Sequence, residues 1–249
     1  MDAPRIARFR ELGFTHFERL VDDKTLGTLR EGYDTLLAGG ATDPRSDDRH
    51  LGGLTRQFMR PEFSLPCFEH NAAVAAGIDI ARRLMGWEDP VRTFSMLIFK
   101  PAGHPHETPW HQDASYAGLP VTPAGRPTGM NTLQFWLAID DADVENGCMH
   151  FHPNPGTATL PHYVASGDPG DDGRLLAIED AERYVDPARV TPVPLRAGGA
   201  SVHHEGTLHY TPANTSNRPR RAYIFNIADR EFVKRAFGRS ARQDANRDT

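Results

Sequence analysis

The stretch that decides the fold of this chain reads His111-Gln112-Asp113, and it is completed far downstream by His209. A histidine and a carboxylate two residues apart, joined by a distant histidine, form the facial ligand set of non-haem iron(II) oxygenases. In an extended segment, residues i and i+2 project from the same face, so both side chains can reach one metal ion. The third ligand must then come from a strand lying alongside, and this requirement predicts a β fold.

Sequence patterns on both sides of this motif agree with that expectation. Runs rich in β-branched and aromatic residues, bounded by turn residues, predict strands over 93–99, 131–139, 150–152, 199–203 and 221–227. The first forty residues and the segment 71–85 instead repeat apolar residues every three to four positions, which predicts helices. Together these patterns predict a mainly β protein with flanking helices (α+β), built as an antiparallel barrel or double-sheet jelly roll.

The remaining segments are polar or rich in glycine and proline. Residues 41–57 are predicted to form a surface loop. Residues 117–129 and 155–190 are too long for plain connections, so we expect them to act as lids over a functional site. Residues 238–249 contain almost no apolar side chains and predict a polar C-terminal tail. We therefore expect a single domain over residues 1–237.

Composition limits the class of protein and its partners. The chain has 249 residues and a formal net charge of −5, which argues against nucleic-acid and membrane-surface partners. Its first residues contain no apolar signal core, and two cysteines are too few for a disulfide framework. These features predict a cytoplasmic monomer or homodimer that acts on a small-molecule substrate.

The third metal ligand has more than one candidate, because His203 and His204 lie close to His209. His209 is favoured because Arg220 follows eleven residues later, across a loop and onto the next strand. That spacing lets an imidazole and a guanidinium point into one barrel from neighbouring strands. His204 is the main alternative.

Arg220 is the candidate anchor for an anionic ligand. Strand alternation places Arg220 and Ala222 on one face and Arg221 on the other. A guanidinium aimed into a barrel needs an anionic partner, because burying an unpaired charge is costly. A dicarboxylic co-substrate would supply that partner, and the hydroxyl of Thr211 could donate to the same carboxylate.

Two further inward-facing candidates, Gln134 and Trp136, share one face of the strand predicted over 131–139. They could line a pocket next to the metal. The alternatives are that Trp136 simply fills the core and that Gln134 is an inward polar residue bonded to the backbone.

With these residues in view, the chain resembles the phytanoyl-CoA dioxygenase family of Fe(II)- and 2-oxoglutarate-dependent oxygenases. The resemblance covers most of the chain through blocks at 11–14, 99–103, 110–113, 135–141, 145–149, 153–156 and 209–222. It implies that His111, Asp113 and His209 hold Fe(II). It further implies that Arg220 and Thr211 bind the distal carboxylate of 2-oxoglutarate, and that Gln134 and Trp136 line the co-substrate pocket.

The resemblance also implies a fold and a reaction. The fold is a double-stranded β-helix, a cupin-like jelly roll. The reaction consumes O2 and 2-oxoglutarate, releases succinate and CO2, and hydroxylates or otherwise oxidises a small metabolite or natural-product intermediate. Related halogenating enzymes have glycine or alanine at the carboxylate position, so Asp113 argues against halogenation. Tyr210 and Thr211 depart from the small residues usual in the family.

Two other functional classes fit part of the pattern. A cupin-like metalloenzyme, an isomerase or hydrolase, would use the same three ligands without 2-oxoglutarate, but Arg220 and Thr211 argue against it. A non-catalytic binding module could share the fold, but the intact set of three ligands argues against loss of turnover.

Overall fold

The structure is a computed structural model that describes residues 1–51, 55–117, 122, 124–125, 129–153, 158–167 and 174–237. The helices are α1 (Ala3–Leu12), α2 (Asp23–Gly39), α3 (Pro66–Glu69), α4 (Ala72–Met85) and α5 (Arg230–Phe237). The strands are β1 (Phe14–Phe17), β2 (Asp47–Leu51), β3 (Thr55–Met59), β4 (Pro90–Lys100), β5 (Thr108–His111), β6 (Thr132–Ala138), β7 (Met149–His152), β8 (His162–Ser166), β9 (Leu175–Ile178), β10 (Thr191–Val193), β11 (Ala200–His204), β12 (Leu208–Thr211) and β13 (Arg220–Asp229).

Two antiparallel sheets pack face to face. The larger has seven strands in the order β1-β11-β6-β13-β4-β3-β2, and the smaller has four in the order β10-β7-β12-β5. Strands β8 and β9 form a separate hairpin. Side chains from both sheets meet in one buried cluster, for example Trp136 and Ile224 from the larger sheet with Phe151 from the smaller. The predicted β fold with double-sheet jelly-roll architecture is therefore confirmed.

The larger sheet separates two environments. On β13, Tyr223, Phe225 and Ile227 belong to the core beneath the helices, whereas Ala222 and Ile224 face the smaller sheet. Residues on β6 alternate in the same way. Because neighbouring residues of a strand project from opposite faces, this alternation fixes which side chains can reach the space between the sheets.

Local capping explains where the helices begin and end. The side chain of Asn71 accepts a hydrogen bond from the backbone N–H of Val74 at 3.1 Å, which caps the N-terminus of α4. Helix α1 ends at Gly13, whose φ of 85° is readily adopted only without a Cβ. Within the described residues, no helix has both the length and the apolar character needed to cross a membrane.

Two predicted loops differ from the structure. The loop predicted over 41–57 is wrong, because β2 and β3 form a hairpin there and β3 pairs with β4. The strands were not predicted because their sequence is polar. Gln57 faces inward, and Arg56 and Asp48 connect the two strands through an ion pair of 2.7 Å. The segment 155–190 contains the β8–β9 hairpin rather than one continuous loop. Most of 117–129 and the whole predicted tail, 238–249, lie outside the described residues.

Candidate metal centre and adjoining anion pocket

Three potential metal ligands converge between the two sheets. His111 is the last residue of β5, and it lies directly opposite His209 of β12. Asp113 begins the 3-10 helix Asp113–Ala117, which turns its carboxylate back toward the two imidazoles. One ligand atom from each of the three residues lies within 4.8 Å of the other two. The structure thus brings together His111, Asp113 and His209, as the sequence predicts.

The backbone orients both imidazoles. Nδ1 of His111 lies 2.7 Å from the carbonyl oxygen of Pro109, and Nδ1 of His209 lies 3.0 Å from that of Thr207. A carbonyl oxygen can only accept, so each Nδ1 carries the proton and each Nε2 presents its lone pair to the cluster. Burial lowers the pKa of both imidazoles, which keeps them neutral and able to bind a metal at neutral pH.

The two oxygens of Asp113 have different surroundings. Gln134 donates from Nε2 to Oδ2 at 2.7 Å, and Nε2 of His203 lies 3.1 Å from the same oxygen. Oδ1 lies 4.0 Å from Nε2 of His111 and 3.7 Å from Nε2 of His209. Burial opposes ionisation of Asp113, but the surrounding histidines outweigh it and lower the pKa of its carboxyl. One carboxylate oxygen is therefore held by protein, and the other faces the two imidazoles.

This donor set fits a divalent transition metal. Two neutral imidazole nitrogens and one carboxylate oxygen on one side of a metal leave the other positions for exogenous ligands. In each of the three ligand side chains, the polar atom that faces away from the cluster is held by a hydrogen bond, as is usual at metal centres.

His204, the alternative third ligand, points elsewhere. Its ring packs edge-on against Phe9 of α1, at a centroid distance of 6.2 Å. Its Nδ1 accepts a hydrogen bond from the backbone N–H of Gly206. His204 is thus directed into the helix-side core, whereas His203, its neighbour on β11, faces the metal centre and bonds Asp113.

A cavity of about 930 Å³ extends from the metal centre between the sheets. Its lining includes all seven residues predicted to hold the metal or the co-substrate, namely His111, Asp113, Gln134, Trp136, His209, Thr211 and Arg220. Gln134 lines it while bonded to Asp113, so its observed partner is a side chain rather than the backbone. Trp136 is 2% exposed, so it fills core space as well as lining the cavity.

Arg220 differs from the other lining residues because it is buried with no counter-ion among the residues that the structure describes. It is 1% exposed, and its Nε and Nη2 atoms have no hydrogen-bond partner in that part of the chain. Its guanidinium carbon lies 5.3 Å from the ring centre of Trp136. Burial lowers the pKa of Arg220 to about 10, so the side chain stays charged at neutral pH. A buried charge of this kind calls for an anionic partner, which makes this end of the cavity a candidate anion pocket.

Arg221 has the opposite orientation and a complete set of partners. It makes an ion pair of 2.8 Å with Asp140 and another with Asp34, on the helix side of the sheet. The alternation predicted for 220 and 221 is therefore confirmed.

Sequence reasoning missed Lys100, which lies directly opposite Arg220 in the β4–β13 ladder. It is fully buried, and its Nζ donates to the Thr211 hydroxyl at 3.0 Å. A charged residue at the end of a predicted strand is normally solvated, so its type gave no signal. Its burial could have been inferred only by predicting that residue 100 pairs with residue 220 in the sheet. His203 was considered only as a ligand candidate, and its contact with Asp113 was likewise not foreseen.

Comparison with known proteins gives the chain a family context. The family model for phytanoyl-CoA dioxygenase (PhyH) matches residues 9–222. The phytanoyl-CoA dioxygenase domain-containing protein 1 of Rattus norvegicus is 33% identical over 147 residues, which are 59% of this chain and 48% of that protein. Its homolog in Caenorhabditis elegans is 30% identical over 198 residues, 79% of this chain and 64% of that protein. The chain spans about half the length of the first of these curated relatives.

A solved structure extends the comparison to the fold. EvdO2 from Micromonospora carbonacea var. aurantiaca, crystallised in complex with 2-oxoglutarate, is 29% identical to the chain. The two superpose with a TM-score of 0.74, over 92% of this chain and 91% of that chain. The jelly-roll arrangement of the two sheets is therefore shared across nearly the whole of both molecules.

Proposed function

The chain belongs to the phytanoyl-CoA dioxygenase family, and on that premise we propose that it is an Fe(II)- and 2-oxoglutarate-dependent oxygenase. Its substrate is a small metabolite or natural-product intermediate, which it hydroxylates or otherwise oxidises. The similar protein EvdO2 was crystallised with 2-oxoglutarate, which supports the co-substrate. The match covers only about half of the curated relative. The proposal is compatible with this, because the region that matches the family model, residues 9–222, contains all the candidate metal-binding and co-substrate-binding residues.

One observation carries the proposal: a three-ligand metal centre and an unpaired buried guanidinium line the same cavity. A metal centre alone would fit many enzymes. Arg220 adds the requirement for an anion, and 2-oxoglutarate has one carboxylate to chelate a metal and another to meet an arginine. A metalloenzyme that used no anionic co-substrate would leave Arg220 without a partner, which disfavours the cupin-like isomerase or hydrolase.

Each residue then has a defined task. His111, Asp113 and His209 hold Fe(II), while Arg220 and Thr211 bind the distal carboxylate of 2-oxoglutarate. When bound, iron and co-substrate supply the oxidising chemistry, in which O2 is consumed and succinate and CO2 are released.

The remaining lining residues orient these groups and exclude water. Gln134 fixes the outer oxygen of Asp113, and the buried ring of Trp136 covers one side of the Arg220 guanidinium. Keeping water away from the anion pocket strengthens the electrostatic attraction between Arg220 and a carboxylate.

The substrate occupies the part of the cavity farther from Arg220. The cavity walls combine apolar side chains with polar and charged ones, including Met59, Phe94, Phe232, Asn131, Asn226, Arg92 and Arg174. Thr159 and Leu175, from the predicted lid 155–190, also line the cavity and support a lid role for this segment. A cavity of about 930 Å³ is large enough for a drug-sized organic molecule.

Succinate formation tests the proposal. Protein incubated with Fe(II), 2-oxoglutarate, a reductant and air should release succinate slowly even without substrate, and a candidate substrate should accelerate release. Removing iron with a chelator should stop it. The proposal fails if metal-loaded protein binds no 2-oxoglutarate and forms no succinate above the metal-only background.

A further inference from the structure

We propose that Asn226 anchors the substrate: its side-chain amide binds a neutral substrate group that both donates and accepts hydrogen bonds, a hydroxyl or an amide, beside the metal centre. This inference rests on the proposed function, because it concerns the substrate of the same site. It gives a task to a cavity-lining residue that neither holds a metal ligand nor reaches Arg220.

Asn226 is the third member of a polar row that crosses the larger sheet. His203 of β11 lies opposite Gln134 of β6, and Gln134 lies opposite Asn226 of β13. His203 and Gln134 both contact Oδ2 of Asp113, at 3.1 and 2.7 Å. Cross-strand neighbours stand about 5 Å apart. A group bound to Asn226 therefore lies one strand away from the residue that orients Asp113.

Unlike the other two members of the row, Asn226 has an amide oxygen without a partner. Its Oδ1 is buried and accepts no hydrogen bond from the residues that the structure describes. The hydroxyl of Thr93 donates to the backbone carbonyl of Asn226, at 3.4 Å, and not to its side chain. A buried polar atom without a partner costs stability, and native proteins pair nearly all of them. The unpaired oxygen therefore points to a ligand group.

The surroundings of Asn226 do not require a polar side chain. On β13 the cavity-facing positions two residues before and after it are Ile224 and Ala228, which are both buried and apolar. The ladder between β13 and β4 also shifts register between Asn226 and Ile227. Such irregularities are common next to active sites, where they re-aim a side chain. Both features favour a role for Asn226 in binding rather than in packing.

Asn226 lies outside the region assigned to 2-oxoglutarate. Arg220 stands six residues earlier on the same face of β13, and six residues of a strand span about 20 Å. A molecule as short as 2-oxoglutarate cannot contact both residues, so the substrate meets Asn226.

The chemistry of the amide defines the substrate group. A primary amide has donors and an acceptor side by side, so it pairs best with a group that has both. Phe94 of β4 lies opposite Asn226 and also lines the cavity. We therefore expect a hydroxyl or amide attached to an apolar framework.

The test compares two probes of similar size on Zn(II)-loaded protein with 2-oxoglutarate. Benzyl alcohol has a hydroxyl, and toluene has none. Ligand-observed NMR titrations give both Kd values. In Asn226→Leu, which keeps the branched shape without polar atoms, the Kd for benzyl alcohol should rise about fivefold to tenfold, the value of one hydrogen bond. The Kd for toluene should stay within about twofold of wild type or fall.

A direct readout of contact accompanies the titrations. The side-chain amide signals of Asn226 are identified in isotope-labelled protein by their absence in Asn226→Leu. Benzyl alcohol should shift these signals, and toluene should shift them much less. Equal benzyl alcohol affinity in wild type and Asn226→Leu, including binding to neither, would overturn the inference.

Thermal unfolding separates anchoring from structural support. Asn226→Leu should unfold at the wild-type Tm or above, because Oδ1 forms no bond within the described chain. Asn214→Leu is the matched control, since its amide donates to the carbonyls of Pro101 and Arg218 and accepts from Ser216. Its Tm should fall by more than about 5 °C. An equal fall in Asn226→Leu would mean a structural role and would overturn the inference.

Failure of the proposed function is recognised separately. If metal-loaded wild-type protein binds no 2-oxoglutarate, the co-substrate assignment fails whatever benzyl alcohol does. If it binds 2-oxoglutarate and Asn226→Leu keeps wild-type affinity for benzyl alcohol, only the role of Asn226 fails. Should leucine prove too bulky for the protein to fold, Asn226→Ala replaces it, with the same loss of benzyl alcohol affinity expected. Unchanged affinity in Asn226→Ala contradicts the inference.

Discussion

At the candidate metal centre, each ligand side chain has one polar atom bonded to protein and another facing the cluster. The imidazoles of His111 and His209 are fixed by backbone carbonyls, and Asp113 is fixed by Gln134 and His203. Such preorganisation lowers the cost of bringing three ligands together around a cation. The residue types alone predict the ligands, but the hydrogen bonds decide which atom of each ligand is available.

Replacing the carboxylate ligand should therefore abolish metal-dependent chemistry. In Asp113→Ala we expect Fe(II) affinity to fall by about a hundredfold or more, because a direct ligand is worth at least as much as its outer partners. Succinate formation should be lost. Equilibrium dialysis with metal analysis and a succinate assay measure the two effects. Asp79→Ala, at an exposed helix position, is the control. Wild-type Fe(II) affinity in Asp113→Ala would show that Asp113 is not a metal ligand.

The two adjacent arginines should differ sharply. Arg220→Ala should raise the Kd for 2-oxoglutarate by about a hundredfold or more, since two charge-assisted hydrogen bonds are lost. Arg221→Ala breaks ion pairs with Asp140 and Asp34 on the other face and should leave that Kd within about threefold of wild type. Titration of both variants checks the prediction. Equal effects would show that the inward and outward faces of β13 are assigned wrongly.

Binding of 2-oxoglutarate should weaken as pH rises. Burial, together with Arg220, lowers the pKa of Lys100 to about 6, while Glu107 opposes the shift. A carboxylate bound nearby raises that pKa again, so binding takes up a proton above pH 6. The Kd should rise between pH 6.5 and 8.5 by up to about tenfold per unit.

Neither His104 nor Arg220 accounts for this pH dependence. His104 has its pKa lowered below 6.5 by burial and by Lys100, and Arg220 stays charged. The pH dependence should therefore disappear in Lys100→Met. A Kd independent of pH in wild-type protein would contradict the expectation.

At the scale of elements, strand alternation accounts for what could be predicted. The apolar pattern of β6 and β13 correctly placed Gln134, Trp136 and Arg220 on one side. The β2–β3 hairpin could not be predicted, because its inward face carries polar Gln57 and its pairing depends on distant β4. Lys100 was missed for a related reason: its burial depends on Thr211 and Pro212, more than a hundred residues away.

The packing of α4 on the larger sheet gives a prediction at this scale. A Cβ on Gly77 would lie 2.7 Å from Cε2 of Phe225 and 2.9 Å from Cδ1 of Ile227. Gly77→Ala should therefore lower the free energy of unfolding by about 1–3 kcal/mol, because the helix must move away from the sheet.

Gly27 in α2 is the matched control, because nothing lies within 4 Å of its would-be Cβ. Gly27→Ala should raise the free energy of unfolding by about 0.5–1 kcal/mol through better helix propensity. Denaturant unfolding of both variants measures the difference. Stabilisation by Gly77→Ala would mean that α4 does not contact the sheet this closely.

At the scale of the whole molecule, the candidate metal ligands and Arg220 line the same cavity between the two sheets. Ligands bound there contact strands of both sheets, so binding should be coupled to global stability. When 2-oxoglutarate is present at about 100 times its Kd, the free energy of unfolding of the metal-loaded protein should rise by about 2.7 kcal/mol. That gain corresponds to a rise in Tm of roughly 5–10 °C.

Differential scanning calorimetry checks this coupling. Arg220→Ala at the same ligand concentration should show little of the increase, because its affinity is lower. An equal increase in metal-free and metal-loaded protein would argue that 2-oxoglutarate binds elsewhere, since chelation requires the metal.

The most direct test of the central claim is an anaerobic titration of Fe(II)-loaded protein with 2-oxoglutarate, followed in the visible spectrum. We predict that a metal-to-ligand charge-transfer band appears, saturates at one equivalent per chain, and is absent in Asp113→Ala. Metal binding without any such band would contradict the assignment of a shared iron and 2-oxoglutarate site.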